Sequence, residues 1–320
     1  MSGEHFSVKN LVIYYRTMKG EVKAVDNASF SLSKGETLAI IGESGCGKSS
    51  LAKGIMRLLP RNVSVYKGII LFNGLNLMDL DEKEFTNKVR WNKITYVPQA
   101  ALNSLNPVIK VGEQMIEPLI LRQKISKSEA FDRAEKALKA VGVSEVFLHR
   151  YPFELSGGMK QRVIIAMSLL TNPELMILDE PTSSLDVLTQ ANIMNLLKRI
   201  KKEKNLGMIF ITHDVSLSSE LADKVAVMYA GQIVEFVDAE TFYSDPKHPY
   251  SKKLMESVPT LRRDKELSFI PGSPPSLLDP PKGCRFAERC PFAFEKCVKD
   301  PPVIYMNKGF YVRCWLYVKE

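Results

Sequence analysis

The chain has 320 residues, 45% hydrophobic and 25% charged, the balance of an ordinary globular protein with no low-complexity tract. A net charge of +8 and a pI near 9.1 suit an anionic partner such as a nucleotide, a nucleic acid or an anionic membrane face, although a lysine-rich solvated surface gives the same figures. No run approaches the ~18 to 20 apolar residues of a membrane span, and MSGEHFSVKN lacks the basic-then-apolar order of a secretory signal, so a cytoplasmic protein is expected.

Strand-like runs come first: Leu11 to Tyr15, Ala28 to Leu32, Thr37 to Ile41, Ile69 to Phe72 and Ile94 to Val97, broken by turn residues. They predict a mixed sheet. From Ser128 the period changes, with Phe131, Ala134, Leu138 and Val141 at helical spacing and Gly142 at the stop, which predicts an inserted helical subdomain at about 100–172. Two uniformly apolar runs, Leu175 to Leu178 and Met208 to Ile211, flank a helical stretch through Ile193, Leu196, Leu197 and Ile200. Strand, helix, strand without polar alternation reads as buried parallel sheet. Val225 to Tyr229 and Ile233 to Val237 around Ala230-Gly231-Gln232 predict a hairpin. Beyond about 243 the composition shifts to proline and charge, so 1–242 and 243–320 are expected to be separate parts, the second irregular.

Gly42-Glu43-Ser44-Gly45-Cys46-Gly47-Lys48-Ser49 fits GxxxxGK(S/T), and it lies between the apolar strand Leu38 to Ile41 and a helical segment. Gly42, Gly45 and Gly47 let successive N–H groups face phosphate, Lys48 reaches the β and γ phosphates, Ser49 ligands magnesium, and Ser44, Cys46 and Ser50 complete the loop. The Cys46 side chain itself has no assigned chemistry. A second magnesium ligand is expected at the end of a neighbouring buried strand. Leu175-Met176-Ile177-Leu178-Asp179-Glu180 supplies Asp179, with Glu180 beyond it as candidate general base.

Leu155-Ser156-Gly157-Gly158-Met159 stands between these elements and resembles the LSGGQ signature of the ABC ATPases, with Met159 replacing the commoner Gln. Ser156 can cap a helix whose first N–H groups Gly157 and Gly158 expose, making a second anion site. The resemblance implies a P-loop NTPase ABC cassette of α/β class, with a mixed sheet and an inserted helical subdomain. It also implies a head-to-tail dimer in which Ser156, Gly157, Gly158, Met159 and Asp186 of one cassette contact the ATP held by the other. Gln99 matches the family's magnesium-contacting glutamine and His213 its γ-phosphate histidine. Tyr15 matches the aromatic that stacks on adenine; Tyr14 and Tyr15 face opposite sides of a strand and only one can serve.

Cys284, Cys290, Cys297 and Cys314 are spaced Cx5Cx6Cx16C, without the paired CxxC of zinc knuckles. Four thiolates suit a 4Fe-4S cluster, with zinc or free thiols as the alternatives. The stretch from His248-Pro249-Tyr250 through Gly272-Ser273-Pro274-Pro275 to Cys297 resembles the C-terminal extension of the oligopeptide/dipeptide (peptide/nickel) permease ATPases, among which iron–sulfur binding occurs. This implies an irregular, metal-binding extension. The implied machine has two transmembrane permease subunits, a second identical or related cassette, and an extracytoplasmic substrate-binding protein. It sits peripherally on the cytoplasmic face of the membrane, with no nucleic acid. Ala100 to Pro107, after Gln99, are where the family docks helices of the permeases.

Two other machines share this chemistry. Soluble ABC ATPases acting on ribosomes generally carry two cassettes, whereas one loop and one signature occur here. DNA-repair ATPases separate the two motifs by a long coiled coil, and the roughly hundred residues between Lys48 and Ser156 hold no extended heptads. Peptide, nickel and oligosaccharide cargoes all remain open, since selectivity lies in other subunits.

Overall fold

The computed structural model describes residues 4–99, 103–258 and 270–318. They fall into two compact units, 1–78 with 211–320 and 79–210.

The first unit opens with β1 (Phe6–Thr17) and β2 (Gly20–Leu32), then β3 (Thr37–Ile41), α1 (Lys48–Ile55), β4 (Val63–Phe72) and β5 (Leu75–Asn76). β1 lies between β2 and β4, antiparallel to both, and β5 closes the edge in the order β2-β1-β4-β5. The predicted runs in β1, β2 and β4 sit inside longer strands, because paired backbone continues past the apolar residues that betray it in sequence.

The second unit contributes α2 (Glu82–Lys88), β6 (Ile94–Val97), α3 (Val111–Pro118), α4 (Lys127–Ala140), α5 (Gly157–Leu169), β7 (Leu175–Asp179), α6 (Val187–Lys204) and most of β8 (Gly207–Thr212). β6 and β7 pair in parallel, and every residue of β7 and β8 is buried, as uniformly apolar runs require when helices cover both faces. Gly142 follows α4 at φ 72°, the left-handed turn expected at a helix stop. Of the stretch from Ala100 to Pro107, residues 100–102 lie outside the described residues.

Back in the first unit come α7 (Val215–Ser219), β9 (Lys224–Tyr229), β10 (Gln232–Asp238), α8 (Ala239–Ser244), α9 (Pro249–Glu256), β11 (Val303–Tyr305) and β12 (Tyr311–Arg313). The turn joining β9 and β10 has φ 45° at Ala230 and 86° at Gly231, the two positive values that a tight hairpin needs. β3 runs parallel to β9, and the order continues β9-β10-β12-β11. The C-terminal stretch is largely irregular, but it adds strands to the sheet. It also shares the core: Tyr229 of β9 packs on Tyr250 of α9 at 4.5 Å between ring centroids and on Phe286 at 5.2 Å.

Glu235 of β10 anchors the start of α9, accepting the Lys247 N–H at 2.7 Å and the His248 N–H at 2.8 Å. His248 caps that helix, its Nδ1 accepting the Tyr250 N–H at 3.1 Å, so the ring must be neutral there. Burial drives its pKa from 6.5 down to about 3. The unfolded chain therefore binds a proton that the folded chain refuses. Stability from His248 is complete above about pH 6.5 and is lost as pH falls from there towards about 3. Urea unfolding is expected to show on the order of 2 kcal/mol lost between about pH 7 and about pH 5. A flat profile over that interval would count against it.

Candidate phosphate-binding site

Gly42 and Gly47 make the loop possible. Both have positive φ, and a Cβ would stand 2.1 Å from the Met228 carbonyl oxygen at Gly42 and 2.0 Å from the Ala24 carbonyl oxygen at Gly47. Only glycine allows so close an approach to the neighbouring strands. The Cys46 carbonyl accepts the Gly231 N–H at 2.9 Å, and the Gly231 carbonyl accepts the Asp26 N–H at 2.7 Å. The hairpin turn thus wedges the loop against β2.

Lys48 is buried, its ammonium donating to the carbonyls of Gly42 at 2.7 Å and Glu43 at 3.0 Å. α1 starts on Gly47 with no side-chain cap, and a helix N-terminus opening directly from a glycine loop is a setting that suits an anion. Ser49 and Ser50 stand in that first turn, while Ser44 and Gly45 are exposed at the tip. The Cys46 thiol is buried beside Lys48, and burial pushes its pKa up, which suits a packing role.

The two tyrosines separate. Tyr15 hydrogen-bonds Ser50 of α1, on the side of the phosphate loop. Tyr14 donates to Asp26 at 2.8 Å, and burial followed by this bond pushes its pKa up to about 12. His213 follows β8 and is exposed, directly before Asp214, which caps α7 by accepting the N–H groups of Ser216 and Leu217 at 2.8 and 3.1 Å.

In the second unit Asp179 ends β7 wholly buried and accepts the Tyr96 hydroxyl at 3.0 Å. Burial, then the charge of Asp179, pushes the Tyr96 pKa up. The next residue, Glu180, is held at φ 49°, a left-handed conformation that costs a non-glycine residue about 1–3 kcal/mol. Gln99 Nε2 donates to Glu180 Oε2 at 3.3 Å. Strain at an acidic residue just past a buried carboxylate is where catalytic groups tend to be found.

The signature behaves as its residues suggest. Ser156 caps α5, accepting the Met159 N–H at 3.3 Å. A Cβ on Gly158 would meet Thr189 Cγ2 at 2.7 Å, and Asp186 caps α6 through the Thr189 N–H at 3.0 Å and hydroxyl at 2.6 Å. The Thr189 bonds hold the Asp186 carboxyl below its usual range. Ser156 to Met159 and Asp186 are therefore one local assembly, joined through Thr189.

Residues 25–183 fit the family model described as ABC transporter, and 234–297 fit that of the oligopeptide/dipeptide transporter C-terminal region. A model described as AAA domain, putative AbiEii toxin, Type IV TA system overlaps residues 148–219. The oligopeptide transport ATP-binding protein OppD of Bacillus subtilis is 47% identical, the alignment spanning 97% of this chain and 88% of that protein. The chain belongs to the ATP-binding subunits of oligopeptide/dipeptide ABC transporters. The Lactococcus lactis dipeptide transport ATP-binding protein DppD is 44% identical over 97% of this chain and 90% of its own length. Among solved structures, the post-hydrolysis dimer of the ATP-binding cassette MJ0796 bound to ADP and Pi matches at TM-score 0.65 and 30% identity, covering 73% of this chain and 98% of that one. As in this family generally, the chain is an ATPase, and no helix among the described residues is long and apolar enough to cross a membrane.

The expected metal centre is not reproduced. Cys284, Cys290, Cys297 and Cys314 lie within electrostatic reach of one another, yet among the described residues no group of three or more His, Cys, Asp or Glu side chains could hold a metal ion. Burial pushes the Cys284 thiol up to about 11 and raises those of Cys290 and Cys314 as well. Neutral thiols have no charge reason to close to ligand distances. Their surroundings still resemble a thiolate site in one respect: backbone N–H groups of Phe286, Phe292 and Leu316 point at three of the sulfurs.

Sequence reasoning missed the arginines of this segment. Arg289 makes a two-pronged ion pair with Glu43 of the phosphate loop, at 2.7 and 2.9 Å. That bond pushes its pKa further up. Arg285 bonds Asp26 and the Ala230 carbonyl. The available signal was Cys284-Arg285-Phe286-Ala287-Glu288-Arg289-Cys290, two arginines placed among cysteines in an otherwise turn-rich stretch.

Proposed function

We propose that this chain is the motor of an importer for di- or oligopeptides, hydrolysing ATP to drive transport through partner permeases. One observation carries the reading: similarity to peptide-transport ATP-binding proteins continues past the cassette through the C-terminal region at 234–297. A generic cassette would match only the first part. Nickel and oligosaccharides are the other cargoes the family admits.

In this reading residues 1–242 form the cassette and 243–320 the family extension. Tyr15 stacks on adenine, and Gly42 to Ser50 cradle the phosphates. Ser49, Asp179 and Gln99 offer the hard oxygen donors that magnesium prefers, and the ion, when bound, neutralises phosphate charge. Glu180 takes the proton from the attacking water, and His213 contacts the γ-phosphate. Ser156, Gly157, Gly158, Met159 and Asp186 serve the ATP of a second, identical or related cassette. Two transmembrane permeases and, through them, an extracytoplasmic binding protein complete the assembly on the cytoplasmic membrane face. The four cysteines are proposed ligands of a 4Fe-4S cluster, a reading that rests on their number and on the N–H groups aimed at three of their sulfurs, and that requires the four side chains to draw together around the cluster.

The test is to tag the chain, extract native membranes anaerobically in mild detergent, and identify what co-purifies by mass spectrometry. Two multi-span permeases are expected, with iron and broad visible absorbance in the same sample. Ribosomal or DNA-repair proteins without permeases would refute the importer, and a colourless, iron-free sample would refute the cluster.

A further inference from the structure

A loop built to gather N–H groups and a lysine around phosphate carries a carboxylate of its own, Glu43. An uncompensated negative charge there repels the anion the loop must bind. The structure answers this with Arg289, whose guanidinium forks onto both oxygens of Glu43 at 2.7 and 2.9 Å. The fork is itself fixed. Arg289 Nε donates to the Pro271 carbonyl at 2.8 Å, Nη1 also reaches the Tyr229 hydroxyl at 3.2 Å, and the side chain is only 6% exposed.

Every polar group of Glu43 is thereby held. Its side chain belongs to Arg289, its N–H donates to the Tyr250 hydroxyl at 2.9 Å, and its carbonyl accepts Lys48 at 3.0 Å. Tyr229, Tyr250 and Phe286 beneath these bonds form one aromatic cluster, which ties the Arg289 segment to the strand that flanks the loop. A second tie runs alongside, from Arg285 to Asp26 and the Ala230 carbonyl at the turn wedged under Cys46.

We propose that Arg289 is a positioning residue of the nucleotide site: it neutralises Glu43, draws it away from the phosphates and fixes the loop, so that the C-terminal segment is part of the ATP site. A lysine cannot reproduce this, because an ammonium is a point charge without the planar fork.

The inference rests on ATP occupying the phosphate loop. The experiment titrates the full chain with a fluorescent ATP analogue and measures KM and kcat in the purified transporter for wild type, R289A, R289K, E43Q and the R289A/E43Q pair. R289A is expected to weaken nucleotide affinity and raise KM by about tenfold or more, as loss of one partner from a largely buried ion pair implies, with kcat within about threefold. R289K should restore only part of it. Where Glu43 is already Gln, removing Arg289 should cost less than about twofold, since no charge is left to neutralise. Wild-type affinity in R289A, or an equal loss in the E43Q background, would overturn the proposal. Should R289A not fold, R289K against R289K/E43Q reads the same coupling with the same two outcomes. Wild-type chain that fails to bind the analogue would instead overturn the ATP reading itself.

Discussion

Replacing Glu180 with Gln is expected to lower ATP turnover by at least about a hundredfold while leaving ATP binding intact, the loss typical of removing a general base. The substitution keeps the size and the hydrogen-bonding shape of the side chain. It removes only the ability to accept a proton. Two features of the site make the effect specific to position 180. Asp179, its neighbour, is wholly buried and bonded to Tyr96, which suits a fixed metal ligand and leaves it no freedom to reach a water. Glu180 is held in a left-handed backbone conformation and accepts from Gln99 Nε2 at 3.3 Å. Single-turnover hydrolysis together with nucleotide titration separates the steps. Undiminished hydrolysis in E180Q would remove Glu180 from the chemistry.

The second large effect is expected at Gly47. A Cβ there lies 2.0 Å from the Ala24 carbonyl oxygen and 2.7 Å from Met228 Cε, at φ 109°. The methionine can swing aside, but the carbonyl belongs to β2 and cannot. G47A should therefore weaken ATP binding by more than about tenfold and lower stability by about 1–3 kcal/mol or more, the strain alone accounting for that range. Gly45 supplies the control, since a Cβ there meets nothing within 4 Å and only its φ of 79° is unfavourable. G45A should fold with a smaller loss. Equal stability of G47A and wild type by thermal unfolding, or a costlier G45A, would show that backbone contact does not shape this loop.

Much of this protein was legible because its chemistry is local in the chain. The phosphate loop, the signature and the acidic end of β7 each depend on residues within about ten positions, where spacing alone dictates which N–H groups and side chains share a surface. β3 and β6 were placed to the residue for a related reason: both are rich in β-branched or aromatic residues and are ended by a turn residue, Gly42 after β3 and Pro98 after β6. The partners of Tyr14 and Tyr15 were not local. Tyr14 bonds Asp26 of β2 and Tyr15 bonds Ser50 of α1, contacts that exist only once those elements have packed on β1.

By itself the sequence placed a strand, a glycine-rich loop and a helix in succession, and a serine cap on a second, glycine-led helix. Only the tertiary structure shows what the proline-rich end of the chain pairs with. β12 extends the sheet, Tyr250 and Phe286 complete its core, and Arg289 crosses 246 positions of sequence to Glu43. No periodicity announces such a contact. Its partners are single charged residues in turns, and their pairing depends on desolvation by an aromatic cluster that exists only once the strands have met.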